Sequence, residues 1–417
     1  MNLMSLVRRS LRQHALSSFV TIVSVGLAAG LTMSVFAINA QTYDAFTGGK
    51  VGFDAVLGAR GSQLQLVLNT VFHLETSPGN IPWTLYREVA EDSRVTLAIP
   101  YAVGDNYQGY RIVGTTTQMF TDFTYREGEG FVLKPGGRIF DETKKEAIVG
   151  YYVAEKLGLS VGSTFMPYHG LQFDEKQRHR DEYTVVAVME PTNGPSDRVL
   201  WIPIEGIYRM SGHILRGTGA VYRPTDDTPV PEEHREVSAV MLKLRNPQAG
   251  FLLGNTINNQ GKVATLAWPI GRVMAELFER IGWVSRILTM VAYLIVVVAA
   301  GSILASIYNT MNERRREFAI LRALGARRGT VFSAIVLEST TITALGVLLG
   351  YLVYGGILSA AMVIVRAQTG VVLDAFRFDP SLWMTPVGMI ILGALAGLVP
   401  AFKAYRTDVA SNLTPLS

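Results

Sequence analysis

The side chains best suited to chemistry gather in one stretch. Residues 169–182 read HGLQFDEKQRHRDE and bring His169, Asp174, Glu175, His179 and Asp181 together, imidazoles and carboxylates of the kind that hold a metal ion. The stretch lacks H-E-x-x-H, the spacing that sets two imidazoles and a general base on one helix face. Its density of lysine and arginine reads as a solvated connector. His73, His213 and His234 are scattered singly. No G-x-S-x-G supplies a nucleophile elbow. Without cysteine, thiolate catalysis, zinc–thiolate centres and disulfides drop out. The expectation is a non-catalytic chain with no metal site and no bound cofactor.

Phosphate chemistry fares no better. Gly48–Gly49–Lys50 lacks the first glycine of G-x-x-x-x-G-K-[ST] at its proper distance and the following Ser or Thr. No backbone cradle for a nucleotide is expected.

A second concentration of charge invites a different chemistry. Residues 308–340 hold six arginines, Arg314, Arg315, Arg316, Arg322, Arg327 and Arg328, between two long apolar runs. Within them Phe318, Leu321 and Leu324 recur at helical spacing, with Ile320 and Ala323 beside them. Asn312 is placed to cap the start, Glu313 and Glu317 lie early, and Gly325 can end the helix in a left-handed turn. Such a helix, an apolar strip ringed by guanidinium groups, suits an anionic lipid surface or a groove on a partner equally well.

The elements around it define the class. About half the residues are hydrophobic and only 17% are charged, against about 25% in an ordinary soluble domain. The net charge of +4 is modest, and the arginines flank apolar runs, so nucleic acid is not an expected partner. The apolar windows fall at 17–40, 286–308, 331–365 (interrupted only by Glu338) and 384–403, each with the roughly 20 residues a helix needs to cross a bilayer. The first exceeds a signal-peptide core and ends without an A-x-A site, so it reads as an uncleaved anchor. Arginine and lysine in the short loops set the orientation. They put a lead-in segment 1–16, the arginine segment 309–330 and a tail 404–417 in the cytoplasm. A large domain 41–285 and a loop 366–383 then lie outside. In the lead-in, Leu3, Leu6, Val7 and Leu11 share one face, the pattern of a helix lying in the membrane interface.

The outer domain reads as mixed α/β. SRVTLAIPYAV, YRIVGTT, KEAIVG, YTVVAVM and VSAVMLKL are β-branched runs bounded by turn residues. SQLQLVLNTVFHLE, YYVAEKLGL and GRVMAELFERIGWVSR are helical; in the first, Leu64, Val67, Leu68, Val71 and Phe72 form a core-facing strip. TSPGNIPW and EPTNGPSD read as mobile loops.

Glycines four apart recur in the spans: Gly26 and Gly30, Gly346 and Gly350, Gly393 and Gly397, with Gly301 and Ala305 alike. They predict close helix packing, within one protomer and between two. Pro386 and Pro400 mark kinks in the fourth span. Glu338, the one acid inside a span, lies near the arginines and is expected to form a structural ion pair or interhelical hydrogen bond.

NERRREFAILRALGARRGTVFSAIVLES resembles the segment that enters the third membrane helix of FtsX-like permeases, the MacB-type ABC transporter family. The matches are Glu313, Arg316 and Glu317, the run 320–326, and Glu338. The layout of one span, a large domain and three spans agrees. GGRIF, EAIVGYYVAEKLGLSVGSTF and EYTVVAVMEPTNGPSDRVLWIPIEGIY are similar to the MacB-type periplasmic core domain. The resemblance implies an integral membrane α-helical protein, four transmembrane helices in a 1+3 arrangement, carrying a large mixed α/β extracytoplasmic domain. It implies a permease subunit in a bacterial inner membrane, closest in layout to lipoprotein-releasing, Lol-type permeases. ATP and magnesium would be used by a separate ABC ATPase, present in two copies. That ATPase would dock on Arg315, Arg316, Glu317, Phe318, Leu321, Leu324 and Gly325. A second permease protomer, membrane lipid and a periplasmic adaptor or envelope protein complete the implied partners. The cargo would be lipophilic or periplasmic; the alternative is a cargo-free scaffold that regulates an envelope enzyme.

Overall fold

The structure, a computed structural model, describes residues 3–47, 52–126, 128–210, 230–375 and 377–406. Gly48–Gly49–Lys50, His213 and most of the tail lie outside the described residues. The chain divides into two units. One is helical, comprising residues up to Thr42, Ile281–Val363 and Leu373 onward; the other comprises Tyr43–Arg280 and Ile364–Val372.

The helical unit is built from α1 (Leu3–Gln13), α2 (Ala15–Thr47), α3 (Ile270–Glu313), α4 (Arg315–Ala323), α5 (Arg328–Thr369) and α6 (Ser381–Arg406), the ends of α2, α3 and α5 counting with the second unit. Among the described residues four of these, α2, α3, α5 and α6, are long and apolar enough to cross a membrane. All four outrun the apolar windows, because helix continues through polar flanks once its backbone is satisfied internally. α6 runs through both Pro386 and Pro400 as one helix.

The glycines explain how these helices pack. A Cβ on Gly30 would fall 2.6 Å from Val353 Cβ and 2.8 Å from the Gly350 carbonyl; one on Gly346 would fall 2.6 Å from Val25 Cβ. Gly26 and Gly350 are similarly close to Leu349 and Ala29. α2 and α5 therefore meet glycine strip to glycine strip. On another side of α5, Gly393 and Gly397 of α6 lie over Thr343 and Ser339. In lipid, where no hydrophobic effect draws helices together, this approach supplies the van der Waals contact that does. Gly301 on α3 differs: nothing among the described residues lies within 4 Å of its would-be Cβ. Hydroxyls along these helices turn back on their own backbone. Ser34 donates to the Gly30 carbonyl (2.7 Å), Thr341 to Leu337 (2.7 Å) and Thr343 to Ser339 (2.8 Å).

α1 does not lie with its apolar face on lipid alone. Leu3, Leu6 and Leu11 are half-buried and Val7 fully so, covered by the chain itself, while Arg8, Arg9 and Arg12 are exposed. The amphipathic pattern was legible; what covers it was not.

The second unit is a mixed sheet of ten strands among the described residues. These are β1 (Ala55–Ala59), β2 (Val95–Tyr107), β3 (Tyr110–Thr115), β4 (Glu146–Val149), β5 (Thr164–Phe165), β6 (Tyr168–His169), β7 (Tyr183–Val188), β8 (Val199–Pro203), β9 (Ala239–Leu244) and β10 (Ala264–Ala267). Their order is β10–β1–β9–β2–β3–β8–β4–β7–β5, with β6 on β2. The β8–β3 and β7–β4 pairs are parallel. Successive side chains of a strand point to opposite faces, and both faces are covered. Leu57, Ile112, Val149 and Leu200 enter one core, and their neighbours Val56, Val113, Ile148 and Trp201 the other. Two buried faces make the strands read as unbroken apolar runs. The helix at Gln63–Thr70 feeds Leu66 and Val67 into the second core and stops short of Phe72, which is nonetheless buried there.

Residues 190–197 are not the loose loop their composition suggests. Asp197 is buried and accepts hydrogen bonds from the Thr192 and Asn193 amides (both 2.9 Å) and the Thr192 hydroxyl (2.7 Å). The segment Ile364–Val372, which the sequence divides between the end of the third span at 365 and the outer loop 366–383, counts with this unit: Arg366 meets Glu155 at 3.3 Å, and Arg198 donates to the Gln368 carbonyl.

Candidate functional site

The arginine segment folds into α4, a helix of nine residues. Asn312 does not cap it. α3 continues to Glu313, so Asn312 lies in that helix's last turn and Arg314 takes the N-cap position. A guanidinium has no acceptor to offer the first amides, and no side-chain cap forms. The other end follows the sequence closely. Gly325 is left-handed (φ 98°); its amide donates to the Arg322 carbonyl and that of Ala326 to Leu321, both at 3.0 Å. This paired closure is the one a glycine after the last turn permits.

The apolar strip is divided. Phe318 is only 7% exposed and packs inward, with the Arg314 guanidinium 4.9 Å from its ring centre. Leu321 is half-buried. Leu324, 80% exposed, Ile320 and Arg316 face outward, while Glu317 is partly exposed. The Arg315 side chain lies outside the described residues. Phe318 therefore fixes α4 to its own chain and is not presented to a partner. A spacing of three and four identifies a shared stripe, but not which part of that stripe the rest of the protein already covers.

Arg314 organises the inner side. Both it and Glu338 are buried. Its Nη1 lies 2.5 Å from the Ser10 hydroxyl and 3.3 Å from Glu338 Oε2, and its Nε donates to Glu317 at 3.0 Å. Ser10 donates in turn to Glu338 Oε1. Gln13 reaches Glu317 at 3.3 Å, and His14 lies 3.2 Å from Glu313. Burial works against ionisation of Glu317, but hydrogen bonds from Arg314 and Gln13 outweigh it and hold the carboxyl below its usual range. One guanidinium thus ties α1, α4 and α5 together. A buried ion pair of this kind returns its desolvation cost only when its remaining donors and acceptors are met, as Ser10 and Glu317 do here.

Glu338 thus lies at ion-pair distance from Arg314 and accepts from Ser10. Sequence reasoning did not single out Arg314 from its five neighbours, and it passed over Ser10. Ser10 did carry a signal: it is a polar residue on the face of α1 that bears Leu3, Leu6, Val7 and Leu11. Each of Gly26, Gly30, Gly346, Gly350, Gly393 and Gly397 lies close against another helix of the chain.

The histidine-rich stretch in the other unit also departs from expectation. Glu175 and Arg178 are exposed, as in a solvated connector, but His179 is buried, and both it and His169 reach Asp105 of β2. The hydrogen bond between His169 and Asp105 raises the pKa of this imidazole above its usual value, with partial burial opposing.

Comparison with known proteins bears on both units. Residues 18–249, more than half of the chain, match the family model described as the MacB-like periplasmic core domain, and residues 289–409 match the FtsX-like permease C-terminal model. The chain is 24% identical over 236 residues to the macrolide export ATP-binding/permease protein MacB of Bordetella avium (strain 197N), covering 55% of this chain and 33% of that protein. It is 30% identical over 146 residues to the uncharacterized ABC transporter permease YknZ of Bacillus subtilis (strain 168), covering 32% of this chain and 34% of that protein. The matches thus span about a third of the length of these two curated relatives. The crystal structure of the periplasmic region of MacB from Actinobacillus actinomycetemcomitans overlaps 55% of this chain and 94% of its own at 12% identity and a TM-score of 0.33, too slight a likeness to carry weight.

Proposed function

For a chain that belongs to the FtsX-like, MacB-type family of ABC transporter permeases, we propose the role of a non-catalytic membrane subunit through which a separate cytoplasmic ATPase drives the α/β domain. In this reading α4 is the docking element. It presents Ile320, Leu324 and Arg316 outward, while Phe318 and the Arg314–Ser10–Glu338 cluster hold it to α1 and α5. That division of one short helix into a free face and a locked face is the observation that carries the proposal. A helix used only to set topology needs neither. The free apolar residues would enter a groove on the ATPase, and Arg316 would steer toward an acidic rim. ATP and magnesium belong to the partner. Two ATPase copies and a second permease protomer follow from the family layout, with the termini and α4 in the cytoplasm and the α/β domain outside. The B. avium relative is named for macrolide export; by that likeness the cargo here is an apolar compound expelled from the outer side of the membrane.

The test is an affinity pull-down of the detergent-solubilised full chain from its native membrane, wild type against Leu324→Asp/Ile320→Asp. An ATPase that co-purifies with the wild type alone supports the reading. An ATPase retained by the variant, or absent from both, overturns it.

A further inference from the structure

We propose that Asp105, His169 and His179 form a binding site for a divalent transition-metal ion of the zinc class in the α/β domain. The side chains come from three places in the chain and converge: one ligand atom from each lies within 4.8 Å of the others. His179 Nε2 is 3.1 Å and His169 Nδ1 3.3 Å from the same carboxylate oxygen, Asp105 Oδ1. Ligands about 2.0–2.1 Å from a tetrahedral zinc ion stand roughly 3.3–3.4 Å apart. Two edges of that polyhedron are therefore already set, and an ion can replace the direct hydrogen bonds with little backbone movement.

Backbone pairing and the Asn106 amide hold the three together. Asp105 follows a bulge in β2, where register with β3 shifts between Val103 and Asp105. Bulges re-aim side chains in this way. On the other edge Asp105 pairs with His169 of β6. Asn106, buried beside it, donates to the carbonyls of Tyr168 (3.3 Å), Gly170 (2.9 Å) and Gln172 (3.2 Å), and the Gly170 amide donates to the Gly104 carbonyl (2.8 Å). The loop returns so that the His179 amide meets the Pro167 carbonyl at 2.9 Å. Two imidazoles with one carboxylate favour zinc and its neighbours over calcium or magnesium, which prefer all-oxygen shells. A carboxylate with no exposed surface, as Asp105 has, is the natural counter-charge for such an ion. His169 is half-exposed, so a fourth coordination position would open to solvent and the ion would be exchangeable. The bound ion would pin residues 168–179 to the edge of β2.

The experiment uses the full chain in detergent, stripped with chelator and titrated calorimetrically with Zn2+ alone, then with Co2+ while the visible absorption is followed. One Zn2+ per chain is expected, together with a Co2+ spectrum of mixed nitrogen and oxygen ligation. Loss of one ligand should weaken Zn2+ binding by at least about tenfold, since removing even an outer-shell partner costs that much. His169→Ala is the decisive variant because its exposure leaves the fold undisturbed; Asp105→Asn and His179→Ala extend the test where they fold. Absence of stoichiometric Zn2+ binding, or unchanged affinity in His169→Ala, overturns the proposal.

Discussion

Of the carboxylates buried among the described residues, Glu338 and Asp105 are neutralised in different ways. Glu338 in the helical unit faces Arg314, whose charge is permanent; Asp105 in the α/β unit faces His169 and His179, whose charge depends on proton or metal. The first arrangement keeps its cation at any ordinary pH. The second ties its geometry to what the imidazoles carry. The fixed pair lies where α4 joins α1 and α5, and the conditional group where a surface loop joins a strand edge. Permanent charge sits where three helices meet, and conditional charge where a loop meets a strand edge.

The largest effect should come from breaking the permanent pair on one side. Arg314→Ala leaves Glu338 buried and uncompensated, at a cost of about 3–5 kcal/mol, read as a lowered unfolding midpoint in detergent. Arg314→Met/Glu338→Leu should recover most of that loss. If the double variant is no better than the single one, the two residues are not coupled and the contrast with Asp105 fails.

A loss of shape should rank next. Gly30→Val forces a Cβ against Val353 and the Gly350 carbonyl, and overpacking of this kind costs about 1–3 kcal/mol. Gly301→Val meets nothing among the described residues and should leave protomer stability unchanged, so any loss there would place a further segment, a second chain or a specific lipid against α3.

Asp105→Asn should follow, at about 1–3 kcal/mol for disturbing a buried hydrogen-bonding partner. His169→Ala should cost less than about 1 kcal/mol in metal-free protein, as befits an exposed partner. Equal losses for the two would make the group a rigid pair like the first. Smallest of all, Leu324→Asp should change stability by no more than about 0.5 kcal/mol while abolishing ATPase capture. A large loss of stability would show that α4 has no free face.

These contrasts also explain what could be read in advance. The four apolar helices and the regular strands were legible because each writes its period over many residues. The glycine strips were legible because spacing alone defines them, although their partners, Val25 and Val353, were not. Glu338 was legible as a lone acid in an apolar run. Asp105 was not, and the reason is local. Gly104-Asp105-Asn106 reads as a turn, yet β2 runs on through a bulge to Tyr107 and the reversal comes at Gln108–Gly109, both with positive φ. A strand ended at Val103 hides the carboxylate, 74 positions from the histidine it meets. Phe318 and Leu324 illustrate the same limit on α4. Sequence distinguishes an apolar face from a polar one, but only tertiary packing decides which apolar residues remain outside.

The inward-turned hydroxyls of α2 and α5 have a mechanical consequence. Ser34 on α2 gives its proton to its own helix, and so does Thr343, which lies against Gly393 of α6, so neither hydroxyl adds a directional bond to the contacts between helices. Contact along the α2–α5 seam therefore rests on side-chain volume, and the close approach of Gly30 to Val353 and of Gly346 to Val25 sets how near the two helices can lie.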